Sequence, residues 1–164
     1  MTVLELCEWL EATALGVVVR ESLYGFQMLV AAHLLGLGLS VGVLLWVDLR
    51  LMGISLQRYT LSAVYRGLAP WFLTGFGVMV ASGAALFAGF ATAAYGNVFF
   101  RIKMTAVLLA AINALVYHFV VQRASIGRGS VAASALSARL VGAGSVVLWV
   151  VVILCGRMMS YTLF

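Results

Sequence analysis

Four apolar stretches, each close to twenty residues long, constrain this chain more than any other feature of its sequence. They run from about 23 to 47, 71 to 91, 104 to 121 and 140 to 159. Roughly twenty apolar residues in a helix cross the ~30 Å hydrocarbon core of a bilayer, and a helix satisfies its own backbone hydrogen bonds there. The sequence therefore predicts an all-α membrane protein, a single-domain bundle of four transmembrane helices over residues 1–164.

Charged residues are too few to form a soluble surface. They make up only 9% of the chain, whereas soluble domains have roughly 25%. The formal net charge is +5, but no basic run is interleaved with aromatic residues, so nucleic-acid binding is not expected. No Ser/His/Asp arrangement, phosphate-binding glycine loop or HExxH motif is present, so we predict no catalytic residues. Enzymatic activity stays open only as the electron-transfer part of an oxidoreductase complex.

A short acidic segment precedes the first span. Glu5, Glu8 and Glu11 are spaced to share one helical face, and Leu4 and Trp9 lie between them. This pattern predicts an N-terminal amphipathic helix that lies in the membrane interface.

The Lys and Arg residues predict the orientation in the membrane. Four spans place both chain ends on one side, which we call side A, and the opposite side is side B. Side B holds six Lys or Arg residues and side A holds four. Because cytoplasmic loops carry the excess of Lys and Arg, side B is predicted to be cytoplasmic and both termini periplasmic.

The chain has two histidines, His33 in the first predicted span and His118 in the third. Ionisable groups are costly inside a membrane, so each is a functional candidate. Measured along the helices from the nearest charged residue on side A, they lie at similar depths, ~18 and ~22 Å. Measured from side B, the depths differ, at ~22 and ~8 Å. Pairing of the two histidines is therefore allowed but not required.

Small residues accompany the first histidine, since Gly36 and Ser40 follow His33 on the same helical stripe. Two imidazoles on parallel helices, with little side-chain bulk beside them, could ligate the iron of one b-type haem. His33 and His118 are the predicted metal ligands, and Gly36 and Ser40 would help to make room for the cofactor. The alternative is that the small residues only bring helices together and that each histidine makes an interhelical hydrogen bond.

Other polar residues near or within the spans have simpler expected roles. Arg101, Lys103 and Arg157 gather on side A, where they could hold haem propionates, lipid phosphates or an acidic partner. Alternatively, they extend to the interface to reach water. Asn113 is expected to hydrogen-bond to a neighbouring helix. The predicted spans contain no carboxylate, which argues against a proton-coupled transporter.

Several short motifs resemble those of a known family. They are His33, Gly42, Asp48-Leu49-Arg50, Gly53, Phe99-x-Arg101-x-Lys103, Asn113 and Tyr117-His118. The chain resembles, from about 9 to 149, a family of uncharacterised bacterial inner-membrane proteins with four predicted helices, a domain of unknown function. The resemblance implies a bacterial inner membrane and no particular activity. The layout is more distantly similar to cytochrome b561-type haem-b proteins and to copper-resistance membrane proteins. Two histidines instead of the four of the b561 type leave room for one haem at most.

Taken together, these features predict a membrane anchor that binds one haem b and transfers electrons as a subunit of a larger redox complex. The alternative is a structural or accessory membrane subunit without a cofactor, and a small transporter or channel is a third option. Expected partners are the lipid bilayer and either other membrane or periplasmic redox subunits or further copies of the chain. The sequence leaves quinone binding open.

Overall fold

The structure is a computed structural model that describes residues 2–55, 58, 61–117 and 131–163. Every regular element within these residues is a helix. In chain order the helices are α1 (Val3–Ala12), α2 (Ala14–Glu21), α3 (Gly25–Leu51), α4 (Leu61–Gly89), α5 (Ala91–Gly96), α6 (Val98–Val116) and α7 (Val131–Leu163).

Among the described residues, four stretches are long and apolar enough to cross a membrane. They are Gly25–Leu51 in α3, Arg66–Gly89 in α4, Val98–Val116 (all of α6) and Leu136–Thr162 in α7. The prediction of an all-α, multi-pass membrane protein with four spans is confirmed.

Three of these helices begin earlier than the sequence predicts, and α7 begins at Val131 instead of about 140. Helix α4 begins at Leu61 and contains Pro70, which directly precedes the predicted start of the second span. Transmembrane helices tolerate an internal proline because neighbouring groups satisfy the freed backbone carbonyl. Helix α6 begins at Val98 because the side chain of Asn97 caps it, accepting hydrogen bonds from the backbone N–H groups of the second and third residues that follow.

The spanning helices pack side by side, α3 on α4 and α7, and α6 on α7. Spanning helices that are adjacent in sequence run antiparallel. Residues further along α3, for example, contact residues that come earlier in α4. Side A is therefore the end at which α3 and α6 begin and at which α4 and α7 end. A central cluster of buried side chains joins α4, α6 and α7 and comprises Met79, Ala106, Ala110, Trp149 and Val152.

Helices α3 and α4 touch backbone to backbone. A Cβ atom on Gly36 would lie only 2.7 Å from the amide nitrogen of Met79 and 2.8 Å from the carbonyl oxygen of Gly75. Ser40, one turn further along, is fully buried against the same surface. Small residues permit such close approach, which strengthens dispersion contacts where lipid supplies no hydrophobic drive.

The last turn of α3 corrects one prediction. The sequence pattern places Asp48 after the first span, whereas α3 continues to Leu51 and only 5% of Asp48 is exposed. Its side chain is hydrogen-bonded to Ser145 of α7, which explains how the helix carries a carboxylate into the bundle. The spans therefore do contain an acidic residue, and the argument against a proton-coupled transporter from their absence is wrong.

Helices α1 and α2 cover side A of the bundle. Helix α1 packs on α5, and α2 packs on α4. The Glu11 carboxylate accepts hydrogen bonds from the backbone N–H and the hydroxyl of Thr92, at 2.7 and 2.6 Å, and lies 4.0 Å from the guanidinium of Arg20. Leu6 and Trp9 remain exposed and lie on one side of α1. These exposed side chains give α1 the apolar face that a membrane interface accepts.

Candidate functional site

His33 lies in the side-A half of α3 and faces α4. Its Nδ1 atom is 2.8 Å from the carbonyl oxygen of Met79 and 3.3 Å from the hydroxyl oxygen of Ser82. The Ser82 hydroxyl donates to the carbonyl of Val78 at 2.6 Å. The imidazole is therefore held by a backbone group of the neighbouring helix.

This hydrogen bond sets the tautomer of the ring. A carbonyl oxygen can only accept, so Nδ1 of His33 carries the hydrogen and donates it to Met79. In the neutral ring Nε2 is then the nitrogen with a free lone pair. Metal-binding histidines have the same arrangement, in which one nitrogen donates to a carbonyl and the other faces the metal.

Gly83 fixes the position of the ring on α4. A Cβ atom at this glycine would lie 2.9 Å from Cε1 and 3.2 Å from Nδ1 of His33. Any side chain larger than hydrogen would push the imidazole away. The ring is thus bounded by the α4 backbone on the side that carries its hydrogen bond.

Lys103 lies in the same region of the bundle. It is the only lysine of the chain, and it lies close enough to His33 for its charge to act on the imidazole. Its side chain runs over Gly156 of α7, where a Cβ atom would be 3.7 Å from Nζ. Lys103 is only partly exposed, and it makes no hydrogen bond or ion pair within the described residues.

The remaining side-A cations lie on the surface. Arg101 donates from Nε to the carbonyl of Tyr95 at 3.0 Å, and its guanidinium lies 5.2 Å from the centre of that ring. Arg157 donates to the hydroxyl of Tyr161 at 2.7 Å, with its guanidinium 4.5 Å from the ring centre. Both arginines are exposed, as expected of side chains that reach the interface.

The two small residues predicted beside the cofactor are in contact with α4. Gly36 lies against the backbone of α4, and the Ser40 hydroxyl donates to the carbonyl of Leu37 at 3.2 Å and lies 3.9 Å from the sulfur of Met79. His33, Gly36 and Ser40 therefore all contact α4 at Met79. Lys103 of α6 lies close enough for its charge to act on the His33 imidazole.

His118 lies outside the described residues. The predicted pairing of His118 with His33 therefore stays a prediction. The candidate site among the described residues is the one around His33.

Other possible ligand groups are sparse. The described residues hold no group of three His, Cys, Asp or Glu side chains that could bind a metal ion, and Cys7 and Cys155 are free thiols. A shallow groove of about 330 Å³ lies between α6 and α7, with Arg101 among its lining residues. Its other walls are almost wholly apolar, which suits a lipid chain. As predicted, Asn113 bridges two helices, donating to the carbonyl of Val141 at 3.0 Å.

The sequence does not predict the proximity of His33 and Lys103, because its pattern assigns Lys103 to the connection before the third span. The signal that places it inside the helix is Asn97, a strongly preferred N-cap residue that is followed by an apolar run. A helix that begins at residue 98 puts Lys103 more than one turn inside it.

Comparison with known proteins identifies the chain by family alone. No curated protein and no solved structure matches it, so the similarity to cytochrome b561-type proteins gains no support. A family model matches residues 6–162, which is nearly the whole chain. This match is longer than the range from about 9 to 149 over which the sequence motifs show a resemblance. The chain thus belongs to DUF6644, a family of unknown function.

Proposed function

We propose that this chain is a membrane subunit that binds one b-type haem through His33 and transfers electrons within a larger redox complex. The observation that carries the proposal is the hydrogen bond from Nδ1 of His33 to the carbonyl of Met79. It orients the ring and leaves Nε2 free to bind iron. Haem would supply one-electron redox chemistry, and the chain would supply an apolar site and an oriented ligand.

The setting of this proposal is the bacterial inner membrane, with both termini periplasmic. It is supported by the excess of Lys and Arg on side B, because this bias sets orientation. Nearly all described residues lie in the spans or in short helices beside them, so a redox role requires partner subunits that carry the electron donor and acceptor. Reporter fusions at both termini should be periplasmic, and one near residue 128 should be cytoplasmic.

A second function is favoured by the close packing of His33 on Gly83. In this alternative the imidazole is an interhelical clamp, and the chain is an accessory membrane subunit without a cofactor. Both functions use the bond to Met79, but only haem binding uses Nε2.

The experiment distinguishes the roles of the two ring nitrogens of His33. His33→Asn retains an N–H donor near the position of Nδ1 and has no atom in place of Nε2, whereas His33→Ala removes both. The protein is purified after expression with ample haem, and its reduced-minus-oxidised spectrum and thermal stability are measured. We expect a Soret band in the wild type and none in either variant, with the stability of His33→Asn close to that of the wild type.

Absence of a Soret band from the wild type would refute haem binding and favour the accessory role. His118→Ala provides the second measurement. Haem binding through His33 alone predicts that this variant keeps its Soret band, and loss of the band would make His118 a ligand as well.

A further inference from the structure

We propose that Lys103, which lies inside α6 and along Gly156 of α7, binds the carboxylate of a membrane-soluble ligand. If the carboxylate is a haem propionate, this proposal rests on the proposed function and extends it. If the ligand is a free fatty acid, the proposal does not depend on haem. The two sources share one chemistry, an acidic group on an apolar body, and a single set of probes distinguishes them.

The first step concerns the charge of Lys103. A cation inside a membrane-spanning helix is costly and is normally paired with an anion, a carbonyl or water. Lys103 has no such protein partner among the described residues, and its side chain lies along α7 at Gly156. No described residue therefore accepts any of the three hydrogen atoms of its ammonium group.

The second step is that no carboxylate of the described residues pairs with Lys103. The five acidic residues of the chain are four glutamates in α1 and α2 and a single aspartate near the far end of α3. That aspartate, Asp48, is fifteen residues beyond His33, about 22 Å along the helix, and is bonded to Ser145. Neither Asp48 nor Glu11, which is held by Thr92 and Arg20, is free to pair with Lys103.

The third step concerns the shape of the site. The Lys103 side chain lies along Gly156 of α7, where the lack of a side chain lets the two helices approach closely. The surroundings are the apolar faces of the spanning helices. A ligand that reaches Lys103 from these faces therefore needs an apolar body that partitions into the bilayer and an acidic group for Lys103. These are the properties of an amphiphilic carboxylate, and carboxylate–ammonium hydrogen bonds are among the stronger ones in proteins.

The test uses the fact that Lys103 is the only lysine of the chain. The full-length protein in mild detergent is treated with an amine-reactive reagent, and modification of Lys103 is followed by mass spectrometry. The N-terminal amine is an internal control. The probes are oleate with methyl oleate, and haemin with haemin dimethyl ester, so that each acid is matched by an uncharged ester of the same body.

We expect at least one acid to slow the modification of Lys103 about tenfold at saturation, with no effect of its ester and none on the N-terminal amine. We also expect Lys103→Met to bind that acid about tenfold more weakly while binding the ester unchanged, and Lys103→Arg to retain the preference for the acid. Tenfold is the size typical of a hydrogen bond to a charged group. Arg139→Met, which removes an exposed cation from the same helix bundle, should leave the preference intact.

The outcomes separate this proposal from the proposed function. Protection by haemin alone identifies a propionate as the carboxylate and supports both proposals. Protection by oleate with no haemin binding supports the fatty-acid source and refutes the haem function. The proposal is overturned if neither acid protects Lys103, or if esters protect as well as acids. Because protection is measured on the wild type, the result does not depend on the folding of Lys103→Met.

Discussion

Substitution of Gly83 by alanine tests whether the His33 ring is held where the structure places it. The added methyl group would lie 2.9 Å from Cε1 and 3.2 Å from Nδ1 of the imidazole. Carbon atoms in favourable contact are about 3.5–4.0 Å apart, so the ring would have to retreat by roughly 0.5–1 Å. The hydrogen bond to Met79, 2.8 Å long, would then exceed the usual limit of about 3.2 Å.

The magnitude follows from three contributions to the free energy of unfolding. Loss of the hydrogen bond lowers it by about 0.5–1.5 kcal/mol, and steric strain lowers it by about 1–3 kcal/mol. Replacement of glycine by alanine inside a helix raises it by up to about 1 kcal/mol. Together these contributions give a destabilisation of about 0.5–4.5 kcal/mol, and we expect Gly83→Ala to lie in the middle of that range, at about 1–3 kcal/mol. Gly77→Ala on the same helix is the matched control, because its Cβ would meet nothing within 4 Å.

The assay is reversible unfolding of the purified protein in mixed detergent micelles, applied as a double-mutant cycle with His33→Ala. If the ring causes the penalty, the effect of Gly83→Ala should largely vanish in the His33→Ala background, a coupling of about 1–3 kcal/mol. Equal stability of Gly83→Ala and Gly77→Ala would refute the placement of the ring. A penalty that persists without the ring would show that Gly83 is constrained by something else.

Three further predictions follow from the same structure. Gly36→Ala should lower the free energy of unfolding by about 1–3 kcal/mol, because its new methyl group would meet the backbone of α4, which cannot rotate away. Gly38→Ala is the control and should be neutral or slightly stabilising, because its methyl group would meet nothing within 4 Å; unfolding of both variants in detergent compares them directly. Asp48→Asn should match the wild type within about 1 kcal/mol in thermal unfolding because an amide keeps the bond to Ser145, and Asp48→Ala should lose about 1–3 kcal/mol; equal losses would show that the charge itself is needed. Glu11→Ala removes the acceptor of two hydrogen bonds and should accelerate hydrogen exchange in α1, with exchange in α3 and α7 unchanged; uniform acceleration would contradict a local role.

The spans were predictable because lipid imposes a simple requirement on composition, an unbroken apolar stretch of about twenty residues. Their ends were not, because charged residues and proline in a sequence indicate breaks between helices. Pro70 and Lys103 both lie inside helices in the structure. The bundle tolerates both residues through neighbouring groups. The sequence pattern of a single segment contains no information about those groups.

The candidate site was predictable only in part for the same reason. His33 stands out because an ionisable group in an apolar span is rare. Its partners on α4 could not be identified, because Met79 contributes a backbone carbonyl, which every residue has, and Gly83 contributes the lack of a side chain. Such contacts depend on the register between two helices, and nothing in the spacing of residues along one helix determines it.

The bond between Glu11 and Thr92 also constrains the order in which the chain assembles. The two residues are 81 positions apart, and the acceptor lies in α1, which is synthesised before α5. Its donors lie in α5, which follows the second span. During synthesis α1 therefore lacks this docking surface until two spans have entered the bilayer, and its exposed Leu6 and Trp9 can hold it on the membrane surface until then. The packing of α1 over side A is thus a late step of assembly, because it requires α4 and α5 to be already in place.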